Sequence, residues 1–359
     1  MQNGTARFYK PELDCLRFAA FLLVFFCHAL PSNPHSPLEH IRITGEFGVC
    51  LFFFLSSYLI TELLEREEAA TGTIQLKAFY VRRILRIWPL YFVFLLADFF
   101  HSNMLSPGTF AVARLLAFLL LAGNWYVASK GPLWTPSSPL WSISIEEQFY
   151  LLWPSARKYL GRTGAIRFSI VMLIASYIAL AHFSARGSDV WVNSFVQFQF
   201  FSAGALVAFA MRGKTPTLHA AARIILFIAG LTALFFGQQF FVDGPSHGAF
   251  HNLAPAYLLA NIGCTIIFLS ILGESRIAWK PVVYLGRISY GLYVFHWLCL
   301  EAARKTLPKL LHSASAIEPA IILTGFVLTV AMAAASYRFF EAPILRYKKR
   351  FEVVRSRPV

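Results

Sequence analysis

Apolar runs separated by short polar or Gly/Pro-rich breaks recur along the chain at about 13–30, 48–64, 87–104, 109–122, 166–183, 195–210, 220–241, 255–272, 285–306 and 318–339. A helix needs roughly 20 apolar residues to cross a hydrocarbon core, and within lipid only helices and closed barrels satisfy their own backbone. The pattern therefore predicts an all-α polytopic membrane protein with about ten transmembrane helices. A further apolar segment at 140–156 is ambiguous, because Glu146 and Glu147 interrupt it.

The basic residues resolve that ambiguity through the positive-inside rule. With a cytoplasmic N-terminus, Arg7 and Lys10 lie inside, as do Arg66, Lys77, Arg82, Arg83 and Arg86. So do Arg157, Lys158, Arg162 and Arg167, then Arg212 and Lys214, then Arg276 and Lys280. The tail adds Arg346, Lys348, Lys349, Arg350, Arg355 and Arg357, leaving Arg42, Arg186, Arg304, Lys305 and Lys309 outside. This bias holds only if 140–156 does not cross, so that segment is expected to be a re-entrant or non-spanning helix. Both termini are then cytoplasmic.

Composition agrees with this class. Hydrophobic residues make up 57% of the chain and charged ones 14%, against roughly 25% charged in soluble domains. The net charge of +14 is mostly topological and gives no reason to expect nucleic-acid binding. The five cysteines, Cys15, Cys27, Cys50, Cys264 and Cys299, sit in apolar segments without metal-ligand spacing. They read as small buried hydrophobes, and no metal is expected.

Candidate chemistry lies in the polar positions inside the apolar segments. The first span carries Asp14, Arg17 and His28. Arg17 and His28 are eleven residues apart, which returns a helix to within about 20° of one face, roughly 16 Å further along. Ionisable groups at membrane depth normally line a protein interior or wet cavity. The alternative is that Arg17 snorkels to the headgroups and His28 satisfies a backbone carbonyl. Within Ser137–Pro154, Glu146 and Glu147 point about 100° apart, so only one can face a given cavity well. Arg82, Arg83 and Arg86 crowd the entrance to the third span. Guanidinium forks suit phosphate, although a plain topological anchor explains the same run. Ser289, Tyr293 and His296 fall at spacings of four and three on one helix face and are candidate substrate-binding positions.

Taken in order, LDCLRFAAFLLVFFCHA, then GVCLFFFLSSYLI at 48–60, YVRRILRIWPLY, LWSISIEEQFYLLWP, SYGLYVFH and SYRFFEAP resemble the membrane acyltransferase-3 family, from residue 12 to about 344. Ser57-Tyr58 departs from that family's common Ser-Gly-Phe/Tyr. The resemblance implies an acyltransferase-3 domain over 1–345 followed by a short basic cytoplasmic tail, 346–359, in a multi-pass protein of a bacterial inner or plasma membrane. Members O-acylate, usually O-acetylate, extracytoplasmic sugars, and some acylate macrolides. It further implies that Arg17 and His28 are the family's Arg-x10-His pair, Arg83 and Arg86 its Arg-x-x-Arg pair, and that Glu147 belongs to its acidic motif.

On this reading the chain is an O-acyltransferase, of O-acetyltransferase type, moving an acyl group from cytoplasmic acetyl-CoA or another acyl-CoA to a saccharide hydroxyl outside. Arg82, Arg83, Arg86 and Arg17 are expected to hold the donor. His28 is the expected general base, with Glu147 orienting or recharging it. Cys27 points about 100° from His28, which argues against an acyl-thiol route. The chain ends about twenty residues past the last apolar run, so no fused hydrolase-like domain is expected. The expected partners are acyl-CoA, an extracytoplasmic saccharide and the bilayer, with oligomeric state open. A proton-coupled transporter would also use intramembrane His, Arg and Glu, but no internal repeat links residues 1–180 to 181–359.

Overall fold

The computed structural model describes residues 8–354, apart from 34, 132–134, 242–243 and 312. Arg7, Arg355, Arg357 and the rest of the tail after 354 lie outside the described residues. Among the described residues fourteen α-helices follow one another: α1 Pro11–Ala29, α2 Leu38–Gly45, α3 Phe47–Thr71, α4 Leu76–Leu105, α5 Val112–Leu119, α6 Gly123–Lys130 and α7 Trp141–Ser184, then α8 Ser194–Met211, α9 Ala220–Gln238, α10 Phe250–Ile271, α11 Lys280–Arg287, α12 Ser289–Leu310, α13 Ala314–Ser336 and α14 Ala342–Lys348. A π-helical turn, Tyr337–Glu341, joins the last two.

Seven helical stretches among the described residues are long and apolar enough to cross a membrane, and the protein is a multi-pass membrane protein. Two further helices, α1 and α12, match them in length. They are less apolar because α1 carries Glu12, Asp14 and Arg17, and α12 carries Glu301, Arg304 and Lys305. Lipid-facing stripes are read directly from exposure. Val171, Ile174 and Ile178 on α7 recur at helical spacing, as do Ile224 and Ile228 on α9 and Leu323 and Val327 on α13, all exposed.

Each apolar window but one falls on a long helix. The exception is 109–122, where α5 has only eight residues, about 12 Å of helix, and cannot span a bilayer. Arg114 is the charged residue inside it. It is 1% exposed, its guanidinium lies 4.4 Å over the Phe110 ring and 5.3 Å over that of Phe118, and it donates to Ser138 Oγ at 3.5 Å. Leu121, with φ of 57°, then turns the chain into α6.

The segment at 140–156 also departs from expectation. It neither dips in and returns nor ends, but forms the first part of the 44-residue α7, broken only at Gly161, where φ is 64° and ψ −177°. From Trp141 to the break is about 30 Å of helix, enough to cross. Trp153 Nε1 donates to Thr61 Oγ1 at 2.9 Å, and Arg157, 1% exposed, closes on Glu65 and Glu68 of α3. Arg82 closes on Glu67 of the same helix at 2.9 Å. These pairs place Arg157 at the same end of the bundle as Arg82.

The core is organised on α3, packed between α1 and α8. Close approach depends on glycine: a Cβ on Gly48 would sit 2.5 Å from the Ala20 carbonyl oxygen of α1. On the other flank, Phe53 stacks on Phe201 at 4.7 Å and Phe201 on Phe149 at 4.4 Å, tying α3, α8 and α7 together. On the far side of α1, Gly286 of α11 lies directly against the Asp14 carbonyl, leaving no room for a side chain.

Candidate active site

Two cavities of about 160 Å³ each lie along α1, one around Arg17 and the other around His28. Their separation follows from the eleven-residue spacing on one helix face. Val49 and Tyr293 line both cavities and form the wall between them. Tyr293 is fixed in that wall, 2.6 Å from Ser142 Oγ and donating to the Pro139 carbonyl at 3.0 Å.

The first cavity gathers cations from separate parts of the chain: Lys10, Arg17, Arg83, Arg86 and Lys348. Arg17 pairs with Asp14 at 2.8 Å, and Tyr9 donates to the other oxygen of that carboxylate at 2.9 Å. Arg83 and Arg86 differ, because neither makes a hydrogen bond or ion pair with another described residue. The Arg83 guanidinium lies 5.4 Å from the Phe79 ring centroid and 5.3 Å from that of Tyr150, a cation–π arrangement that leaves its N–H edge available. Lys348 reaches in from α14, in a long 3.6 Å pair with Glu352. Glu146 supplies a carboxylate, but Ser56 and Tyr150 both donate to it. Arg82 stands apart from this cavity. It is spent on Glu67 and on the Phe351 carbonyl, to which it donates at 2.6 Å, and so fastens the C-terminal segment beside Arg83 and Arg86.

The second cavity holds His28 among three indoles, Trp141, Trp191 and Trp297, with the carboxylates of Glu46 and Asp189. Trp297 meets the His28 ring edge-on, with centroids 4.9 Å apart at 80°. His28 Nδ1 lies 2.9 Å from His296 Nε2. Arg304 donates to the His28 backbone carbonyl at 2.5 Å, holding the C-terminal end of α1. Asp189 lies in the connection between α7 and α8. Burial pushes its carboxyl above the usual carboxylate range, against the Trp191 and Val192 N–H groups that donate to it.

The expected site residues therefore separate into groups. Arg17, Arg83, Arg86, Ser289 and Tyr293 converge on the first cavity, and His28 on the second. His296 is fully buried and lines neither, touching His28 instead. Glu147 also lines neither. It accepts from Trp88 Nε1 at 2.8 Å, while the 100° step between neighbours turns Glu146 into the first cavity. Among the described residues no hydrogen bond or ion pair links Glu147 to His28, and His296 is the group that touches the His28 ring nitrogen. Among the described residues, no group of three or more His, Cys, Asp or Glu side chains is placed to hold a metal ion.

Sequence reasoning missed Lys348, which read as tail charge, and Arg304, which read as a loop cation. It also passed over Asp189 and the indoles of the second cavity. Only Glu146 left a usable signal, since one of two adjacent acids had to face inward.

The family described as an acyltransferase domain matches residues 10–338. The O-acetyltransferase OatA of Staphylococcus aureus (strain NCTC 8325 / PS 47) is 27% identical over 361 residues, covering 94% of this chain and 57% of its own length. A Staphylococcus aureus (strain MSSA476) protein provisionally named an O-acetyltransferase is 27% identical over 360 residues, with 93% and 57% covered. The chain thus spans little more than half the length of the curated relatives it matches. No solved structure matches it. With the family's match running through nearly every helix that builds the two cavities, the chain belongs to the membrane acyltransferase-3 family.

Proposed function

We propose that the protein is an integral-membrane O-acyltransferase, of O-acetyltransferase type, that takes an acyl group from acyl-CoA in the first cavity and transfers it to a saccharide hydroxyl in the second. One observation carries this reading. Two guanidiniums with no hydrogen bond or ion pair to a described residue line one cavity, a histidine lines the other, and the two cavities share a single wall. Phosphate is the ligand that suits Arg83 and Arg86, because planar forks form paired charge-assisted bonds with it. Lys348 adds a point charge, and Arg17 flanks the approach towards Tyr293.

In this reading the pantetheine arm runs along α1, roughly 16 Å from Arg17 to His28, and passes the wall at Val49 and Tyr293. His28 takes the proton of the acceptor hydroxyl, whose oxygen attacks the thioester carbon. The C–S bond breaks, and the thiolate recovers that proton. The second cavity, with indole faces and two carboxylates, suits a saccharide: its apolar faces stack on indole and its hydroxyls donate to carboxylate. Counting both sides of Gly161 and leaving out α5 supports a reading of ten crossings, with both termini cytoplasmic in a bacterial cell membrane.

The test uses purified protein in vesicles supplied with acetyl-CoA on the side of Arg83 and Arg86. Thiol release should require that sidedness and should accelerate when a saccharide acceptor is present on the other side. Solute movement across the vesicle without thiol release would replace this reading with a transporter.

A further inference from the structure

The histidine pair has proton positions that its far end dictates. His296 Nδ1 lies 2.6 Å from the Tyr293 backbone carbonyl. A carbonyl only accepts, so this nitrogen carries the hydrogen. A neutral imidazole has one N–H, which leaves His296 Nε2 as an acceptor. Facing it at 2.9 Å is His28 Nδ1, which must then be the donor. His28 Nε2 is left with an open lone pair. It makes no hydrogen bond to a described residue, and His28 lines the second cavity.

A doubly protonated His296 would reverse this order, but the surroundings oppose it. The ring is fully buried, packed by Phe21 and Tyr293, and no described carboxylate touches it. The charged groups that face the pair are Arg304 on its own helix and Arg42 on α2, with Glu46 across the cavity. A buried cation without a carboxylate partner is strongly disfavoured.

We propose that His296 is a positioning residue that locks His28 into the Nδ1–H tautomer and so presents the Nε2 lone pair to the acceptor hydroxyl. This rests on the reading of His28 as the base. Free histidine favours the opposite tautomer, in which Nε2–H would meet the hydroxyl as a donor and could not take its proton. When His28 accepts the proton at Nε2, its Nδ1–H bond to His296 becomes charge-assisted and tightens. His296 itself neither gains nor loses a proton, and the Tyr293 carbonyl stays its acceptor throughout.

The experiment is 15N NMR of the full protein in lipid with imidazole-labelled histidine, assigned with His28→Asn and His296→Gln. His28 and His296 are both expected as Nδ1–H tautomers. His296→Phe should turn His28 to Nε2–H and lower kcat about 10²-fold or more, with KM for acetyl-CoA unchanged. His296→Gln, whose side-chain oxygen can accept from Nδ1–H, should recover most of that loss. Finding His28 as the Nε2–H tautomer in the unaltered protein overturns the proposal. So does a His296→Phe protein with normal kcat. The spectrum needs no turnover, so it separates this proposal from the function it rests on: full activity in His28→Asn would remove His28 as the base whatever the tautomer.

Discussion

Replacing Arg83 and Arg86 by alanine should separate ligand affinity from stability, because neither residue has a hydrogen bond or ion pair to a described residue to lose. Neither guanidinium has a hydrogen bond or ion pair to another described residue, and the rings of Phe79 and Tyr150 provide the packing around Arg83. Charge-assisted hydrogen bonds contribute roughly 1.5–3 kcal/mol each. One such bond lost per residue weakens CoA binding about 10- to 150-fold, and the double change about 10²- to 10⁴-fold if the two act independently. Removing two neighbouring cations relieves their repulsion, which offsets the lost cation–π contacts of Arg83, about 0.5–1 kcal/mol each, so the thermal midpoint should change little. Calorimetric titration of CoA and thermal unfolding, both in the same detergent, measure the two quantities. Arg82→Ala is the internal contrast. It strands Glu67, whose side chain is 2% exposed, so it should lower the midpoint more than it lowers affinity. Unchanged CoA affinity in the double variant would refute the reasoning and return these arginines to the role of topological anchors.

His28→Asn keeps a polar side chain but cannot accept a proton near neutral pH, so acyl transfer should fall about 10²- to 10⁴-fold while membrane insertion persists; near-normal transfer would move the base elsewhere. Glu67→Gln leaves Arg82 without its carboxylate, and breaking a buried pair from one side costs roughly 3 kcal/mol, visible as a lower thermal midpoint. Gly286→Ala drives a methyl into the Asp14 carbonyl. Overpacking of that kind costs about 1–3 kcal/mol and should also disturb the Asp14–Arg17 pair, so a variant with unaltered melting and activity would count against tight α1–α11 packing.

The sequence carried whatever is local to one helix. The face shared by Arg17 and His28 follows from 3.6 residues per turn, and so does the common face of Ser289, Tyr293 and His296. The lengths of most apolar runs likewise foretold long helices. Two segments differ from expectation because average hydropathy is blind to what a charge will meet. Arg114 is buried against Phe110 and Phe118, four residues to either side, and Leu121 turns the chain just beyond them, whereas Glu146 and Glu147 find Ser56, Tyr150 and Trp88 within a helix that continues. Contacts between distant segments left no trace. His28 and His296 are separated by 268 positions, and Lys348 reaches its cavity only because the π-helical turn and Arg82 bring the C-terminal segment alongside α4.

The thin wall at Val49 and Tyr293 has a consequence for the cell that houses this protein. In the proposed function the two cavities are entered from opposite faces of the membrane, and joined by a continuous file of water they would short-circuit it, since such a file conducts protons. The hydroxyl of Tyr293, clamped between Ser142 and the Pro139 carbonyl, is spoken for at the point where such a file would have to pass. An acyl group and its thin tether can thread a gap that a bulk ion cannot, and while they occupy it they are themselves the stopper. With the proposed function, the fold reconciles group transfer across a membrane with the electrical insulation on which that membrane's energy supply depends.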